Sequence, residues 1–166
     1  DFVSIDSILE SSNVVHVDCG DIDGDGDTDI IATGKDSTTS EYYIHWFSNG
    51  GEFWFTQPNE QLTFSGPSLL TFSLSQVNQP KSLSLGDVDQ DGDTDLAVAS
   101  SLDGNFTLFR NDGTGIFDDP VSIYSETDGQ AQGVKLADLN ADSKLDIVIT
   151  TKNSSKLGVI LQSSIG

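Results

Sequence analysis

At 166 residues the chain is long enough for one domain with a real core, and no shift of composition along it marks a second. Acidic residues outnumber basic ones 27 to 7, a formal charge of −20 that argues against nucleic acid or an anionic membrane surface as partner. No apolar run approaches a membrane span, and the single cysteine, Cys19, excludes an internal disulfide.

The first predicted element is a short alternating strand over residues 1–8. Its opening Asp1-Phe2-Val3-Ser4-Ile5-Asp6-Ser7 repeats Asp119-Pro120-Val121-Ser122-Ile123-Tyr124-Ser125 at five of seven places. Three copies of one unit follow, over about residues 13–74, 80–125 and 131–166. In each, an alternating strand A enters an acid-rich loop, an apolar strand B leaves it, and strand C leads toward a turn and a strand D. The first copy carries Val15, Val17 and Cys19 on strand A, Ile30-Ile31-Ala32 as strand B and Ile44-His45-Trp46-Phe47 as strand C. Its turn, Asn49-Gly50-Gly51, opens an insertion that holds Trp54, and strand D is expected at about Leu70-Thr71-Phe72-Ser73. The second copy runs through Leu83 and Leu85, Leu96-Ala97-Val98-Ala99, Phe106-Thr107-Leu108-Phe109, the turn Asn111-Asp112-Gly113, and Val121-Ser122-Ile123-Tyr124. The third has Val134 and Leu136, Ile147-Val148-Ile149 and Gly158-Val159-Ile160-Leu161 but no strand D, which the N-terminal strand is expected to supply. Cys19 stands where Leu85 and Leu136 stand, so it is expected to be a small buried hydrophobe.

The loops carry the chemistry. Asp21, Asp23, Asp25, Asp27 and Asp29 alternate through the first, and Asp87, Asp89, Asp91, Asp93 and Asp95 through the second. The third reads Asp138, Asn140, Asp142, Lys144 and Asp146 at the same places. Carboxylates crowded at this spacing repel one another unless a hard cation lies among them, and Ca²⁺ fits an all-oxygen set. Positions 1, 3, 5 and 9 would offer side chains and position 7 its backbone carbonyl, with glycine at position 6 easing the turn. The EF-hand is excluded, because its bidentate Glu at position 12 is replaced by Ala32, Val98 and Ile149. Two strong sites and a weaker third are expected, since Asn140 removes a charge, Ser143 replaces the glycine and Lys144 adds a positive charge.

These loops, each running into an apolar strand, with Phe109-Arg110-Asn111-Asp112-Gly113-Thr114-Gly115-Ile116-Phe117 downstream, resemble the FG-GAP/VCBS repeat of integrin α-chain β-propellers and their bacterial relatives. The resemblance spans nearly all of the chain and implies that each repeat is one four-stranded propeller blade with Ca²⁺ in its A–B loop. The Phe-Gly and Gly-Ala-Pro signatures of the animal integrins are absent, so no integrin-like ligand is carried over. The implied fold is all-β, a single partial-ring domain over residues 1–166. Three blades do not close a ring. Either two chains join as a six-bladed homodimer, each N-terminal strand completing the other's last blade, or the chain is part of a longer propeller or an open array.

Catalysis is not expected. His16 aligns with Ser82 and Gly133, and His45 with Thr107, so neither belongs to a repeated constellation. The expected function is an extracellular binding, adhesion or assembly module with a protein or glycan ligand. Few Lys and Arg, abundant Ser, Thr, Asn and Gly, and a start at Asp1 suit a processed secreted product or an excised segment. A lectin is the alternative. Its sugar platform would be Trp54, with Tyr42 and Tyr43 next, whereas Trp46 aligns with Leu108 and Ile160 and reads as core.

Overall fold

Runs of β-branched and alternating residues become strands because one pleated face is apolar and needs a partner layer. A computed structural model describes residues 12–50, 64–69, 77–127 and 130–162. Among them the protein is all-β, with three antiparallel sheets and no helix. The first sheet is β1 (Ser12–Gly20), β2 (Asp29–Asp36), β3 (Tyr42–Asn49) and β4 (Phe64–Leu69), in that order. The second repeats the meander with β5 (Pro80–Gly86), β6 (Asp95–Ser100), β7 (Asn105–Phe109) and β8 (Val121–Ser125). The third has β9 (Ala131–Ala137), β10 (Asp146–Thr151) and β11 (Leu157–Ile160).

Register is the same in all three, with Gly20 opposite Asp29, Gly86 opposite Asp95 and Ala137 opposite Asp146. Each acid-rich loop therefore closes on an equivalent pair. Each sheet packs face-on against the next, so its two faces bury different residues. Ile22, Ile31 and Ile44 of the first sheet meet Leu83, Leu96, Val98 and Phe109 of the second. On the opposite face of the second sheet, Ala97, Ala99, Phe106 and Leu108 meet Val134, Leu136 and Ile147 of the third. β6 is buried at all six of its residues, the small Ala97 and Ala99 on one face allowing the third sheet to approach. Each large aliphatic side chain so buried stabilises by about 1.5–3 kcal/mol.

Polar side chains on the first strand of each of the first two sheets tie it to the next. His16 Nδ1 accepts the Leu83 N–H at 3.5 Å and Asp18 Oδ2 that of Leu85 at 3.0 Å. At the equivalent places Ser82 Oγ and Ser84 Oγ accept the Val134 and Leu136 N–H groups, both at 3.2 Å. These strands would otherwise present unpaired amides to a neighbouring layer, and the side chains answer them.

Two expectations are corrected. The strand paired with β3 in the first sheet is Phe64–Leu69, with Asn49 opposite Phe64, earlier in the chain than expected; the expected stretch, Leu70–Ser73, lies outside the described residues. Pro67 falls within β4, which lies at the edge of the described sheet, where a missing N–H is tolerated. Cys19 is exposed, and so are Val15 and Val17 beside it, because β1 has no described sheet in front of it as β5 and β9 do. The N-terminal strand at 1–8 lies outside the described residues.

Candidate metal centres

The ninth-position aspartate of each loop is fully buried, as Asp29, Asp95 and Asp146 all are. A buried carboxylate needs partners, and here both oxygens receive backbone N–H groups. Asp29 Oδ2 accepts from Ile22 at 3.0 Å and Oδ1 from Asn49 at 2.7 Å. Asp95 does the same with Val88 at 2.8 Å and Asn111 at 2.9 Å, and Asp146 with Leu139 and Gln162, both at 3.0 Å. This residue pins the start of its own loop to the end of strand C. It was expected only to close an ion's shell.

The loop backbone turns left-handed twice. Gly24, Gln90 and Ala141 at position 4, and Gly26, Gly92 and Ser143 at position 6, all have φ between 61° and 100°. The coil turns amides inward onto the first aspartate: Gly24 and Gly26 donate to the two oxygens of Asp21, at 2.8 and 3.0 Å. Asp25 and Asp91, at position 5, accept the Asp27 and Asp93 N–H groups in tight local turns. Both lie close enough to the position-3 carboxylate to raise it by repulsion, although neither belongs to a three-acid group.

Convergence occurs at positions 1, 3 and 9. Asp21, Asp23 and Asp29 bring one oxygen each within 4.8 Å of one another, and Asp87, Asp89 and Asp95 do likewise. Burial, followed by the neighbouring acids, holds the Asp23 and Asp89 carboxyls above the usual carboxylate range. Burial also raises Asp95, against the pull of its two backbone donors. In each trio one buried oxygen has no hydrogen-bond partner: Asp23 Oδ1 in the first and Asp87 Oδ1 in the second. A divalent cation fits that donor set, all oxygen, closely spaced and under-satisfied.

The third loop differs. Asp138 accepts the Asp142 and Ser143 N–H groups, at 3.2 and 2.9 Å, much as Asp21 accepts two loop amides, so the difference from the first loop lies at positions 3 and 5. Asn140 Oδ1 takes the Asp142 N–H and its amide donates to Asp142 Oδ2, while the Lys144 N–H goes to Asp142 Oδ1. No three-acid group forms there among the described residues.

The sheets also lock one another's loops. Asn111 Nδ2 reaches back to Ile22 O at 2.7 Å as well as to Thr94 O, and Gln162 Nε2 reaches Val88 O at 3.0 Å. These amides were missed in the sequence reading, although their fixed place after strand C was a signal.

Of the aromatic candidates, Trp54 lies outside the described residues. Tyr42 is half-buried with Lys35 Nζ 5.4 Å from its ring centre. Tyr43 is buried and stacked on His45 at 4.2 Å, so it presents no ring face for a sugar. Trp46 packs on the first inter-sheet core, under Gly115, where a Cβ would lie 2.6 Å from its ring.

Meanders stacked face to face, each entered through the same aspartate-pinned loop, define an all-β repeat protein whose first two loops are competent to hold a cation. Residues 21–98 and 87–149 match the FG-GAP-like repeat, together covering well over half of the chain, and the protein belongs to that family. Each match runs from one acid-rich loop to strand B of the following repeat. No curated protein matches the chain.

Proposed function

We propose that the protein is a calcium-stapled β-propeller module for binding, adhesion or assembly outside the cell, its ions structural rather than catalytic. The observation that carries the calcium reading is the orphaned buried oxygen in each of the first two aspartate trios, with none among the described atoms of the third loop. Crowded carboxylates in an exposed turn suit a large, flexibly coordinated ion better than Mg²⁺, which demands strict octahedral geometry. Affinity should lie at about 10⁻⁴ to 10⁻³ M, typical of extracellular modules. Calorimetric titration of the chelator-treated chain with Ca²⁺, and separately with Mg²⁺, tests this. Two Ca²⁺ equivalents and a rise in melting temperature are expected; no heat and an unchanged melt would refute it.

The three sheets act in this reading as consecutive blades of a ring. Exposed Val17 holds the place that is buried as Leu83 and Val134 in the other sheets, and Leu139 holds the place of buried Ile22 and Val88. Blades of the same kind, from a second copy closing a six-bladed homodimer or from a longer propeller, would cover both faces. Native mass of the chain with calcium distinguishes these: twice the chain mass supports the dimer, and a monomer rejects it.

A further inference from the structure

The residue just before the locking amide differs from sheet to sheet, being Ser48, Arg110 and Leu161. In the first sheet Ser48 Oγ donates to Asp23 Oδ2 at 3.2 Å. In the second, Arg110 Nε pairs with Asp89 Oδ2 at 3.1 Å. Asp23 and Asp89 are the equivalent, third-position members of the two trios. One trio thus receives a neutral hydroxyl and the other a full positive charge that is never lost in the accessible pH range.

Resting on the calcium reading, we propose that Arg110 is a resident cation of the second trio and sets its affinity for a divalent ion below that of the first. The guanidinium occupies an acceptor direction of Asp89 and lowers the negative potential that would draw the ion in. The same charge relieves carboxylate repulsion when no ion is bound. The two loops, so alike in sequence, therefore divide the work: the first depends on calcium, and the second is partly neutralised by its own chain. Arg110 is about half exposed, so its contribution is electrostatic and salt-sensitive rather than one of packing.

Calcium calorimetry on the full chain tests this, with Asp23→Ala and Asp89→Ala assigning the two phases. The weaker phase should vanish in Asp89→Ala. Arg110→Ser should tighten that phase about tenfold at low salt, and the gain should shrink toward nothing near 1 M salt. Ser48→Arg should weaken the tighter phase by a similar factor, and Arg110→Lys should stay closer to wild type than Arg110→Ser does. In chelator, Arg110→Ser should melt below wild type. Two phases that ignore residue 110, or a weaker phase that vanishes in Asp23→Ala, would overturn the proposal while leaving calcium binding standing. A wild-type chain that gives no calcium heat overturns the calcium reading and this inference together.

Discussion

The second and third acid-rich loops share a backbone but not a chemistry. Both turn left-handed at positions 4 and 6, and both hang from a buried ninth aspartate that grips two backbone amides. Yet the second leaves Asp87 Oδ1 unanswered inside a trio of carboxylates, while the acids of the third are answered by amides within the loop and by the Gln162 N–H. The difference separates two jobs that one motif conceals. Position 9 shapes the turn, and positions 1 and 3 decide whether that turn also wants an ion.

The comparison breaks most visibly at the pin. Asp146→Asn should destabilise by about 2–4 kcal/mol in urea unfolding, because an amide nitrogen would face a buried N–H. Asp95→Asn should cost as much in chelator and more in calcium. If Asp146→Asn proved harmless, position 9 would be a ligand and nothing else.

The ligand positions come next. Asp23→Ala should lower the melting temperature by several degrees in calcium, and leave it unchanged or raised in chelator, where it removes a crowded charge. Asp142→Ala should show no such dependence on calcium. A calcium-specific loss from Asp142→Ala, in paired thermal melts, would erase the distinction between the loops.

Strain in the third loop offers a smaller effect of opposite sign. Ser143 sits at φ 69° where the other loops have glycine, so Ser143→Gly should stabilise by about 1 kcal/mol in chemical denaturation. Its backbone N–H and C=O, which serve Asp138 and Gln90, are unaffected.

The smallest effect is in pH. Asp23, Asp89 and Asp95 have carboxyls raised in the folded state, so without metal the folded form binds protons more readily than the unfolded one. Stability in chelator should therefore rise as pH falls from neutral through those raised values, and stop rising near the ordinary carboxylate value of about 4. Below it the trend reverses, because Asp36, Asp112 and Glu126 are lowered by their hydrogen-bond partners and their contribution is lost as pH falls through the folded values. With saturating calcium the rise should disappear, since protons then compete with the ion. Melting temperatures against pH, with and without calcium, check the sign.

Much of this was legible in the sequence because three copies could be compared. Strands A to C and the loops share one spacing, and the apolar runs after the loops, Leu96-Ala97-Val98-Ala99 among them, read as buried strands. Strand D of the first copy was misplaced because nothing repeats the insertion after Asn49, and alternation alone fits several stretches there. Cys19 shows another limit. Periodicity tells which way a side chain points but not whether another layer lies in that direction, so an apolar place in the repeat became an exposed one. Polar members of strand A, such as Ser82 and Ser84, were passed over as mere alternation. Their role depends on the sheet that follows, which no local pattern describes.

Those side chains also give the order of the repeats a meaning. His16 and Asp18 answer the amides of the second sheet, and Ser82 and Ser84 answer those of the third. Gly133 and Lys135, at the same places in the third sheet, bring no oxygen acceptor; instead Lys135 Nζ turns to Asp18 Oδ2 at 3.5 Å. The repeats are consequently not interchangeable beads, however alike their loops. A shuffled chain that placed the third repeat ahead of the second would keep every loop and every strand, yet it would set the amides of Leu83 and Leu85 against a glycine and a lysine.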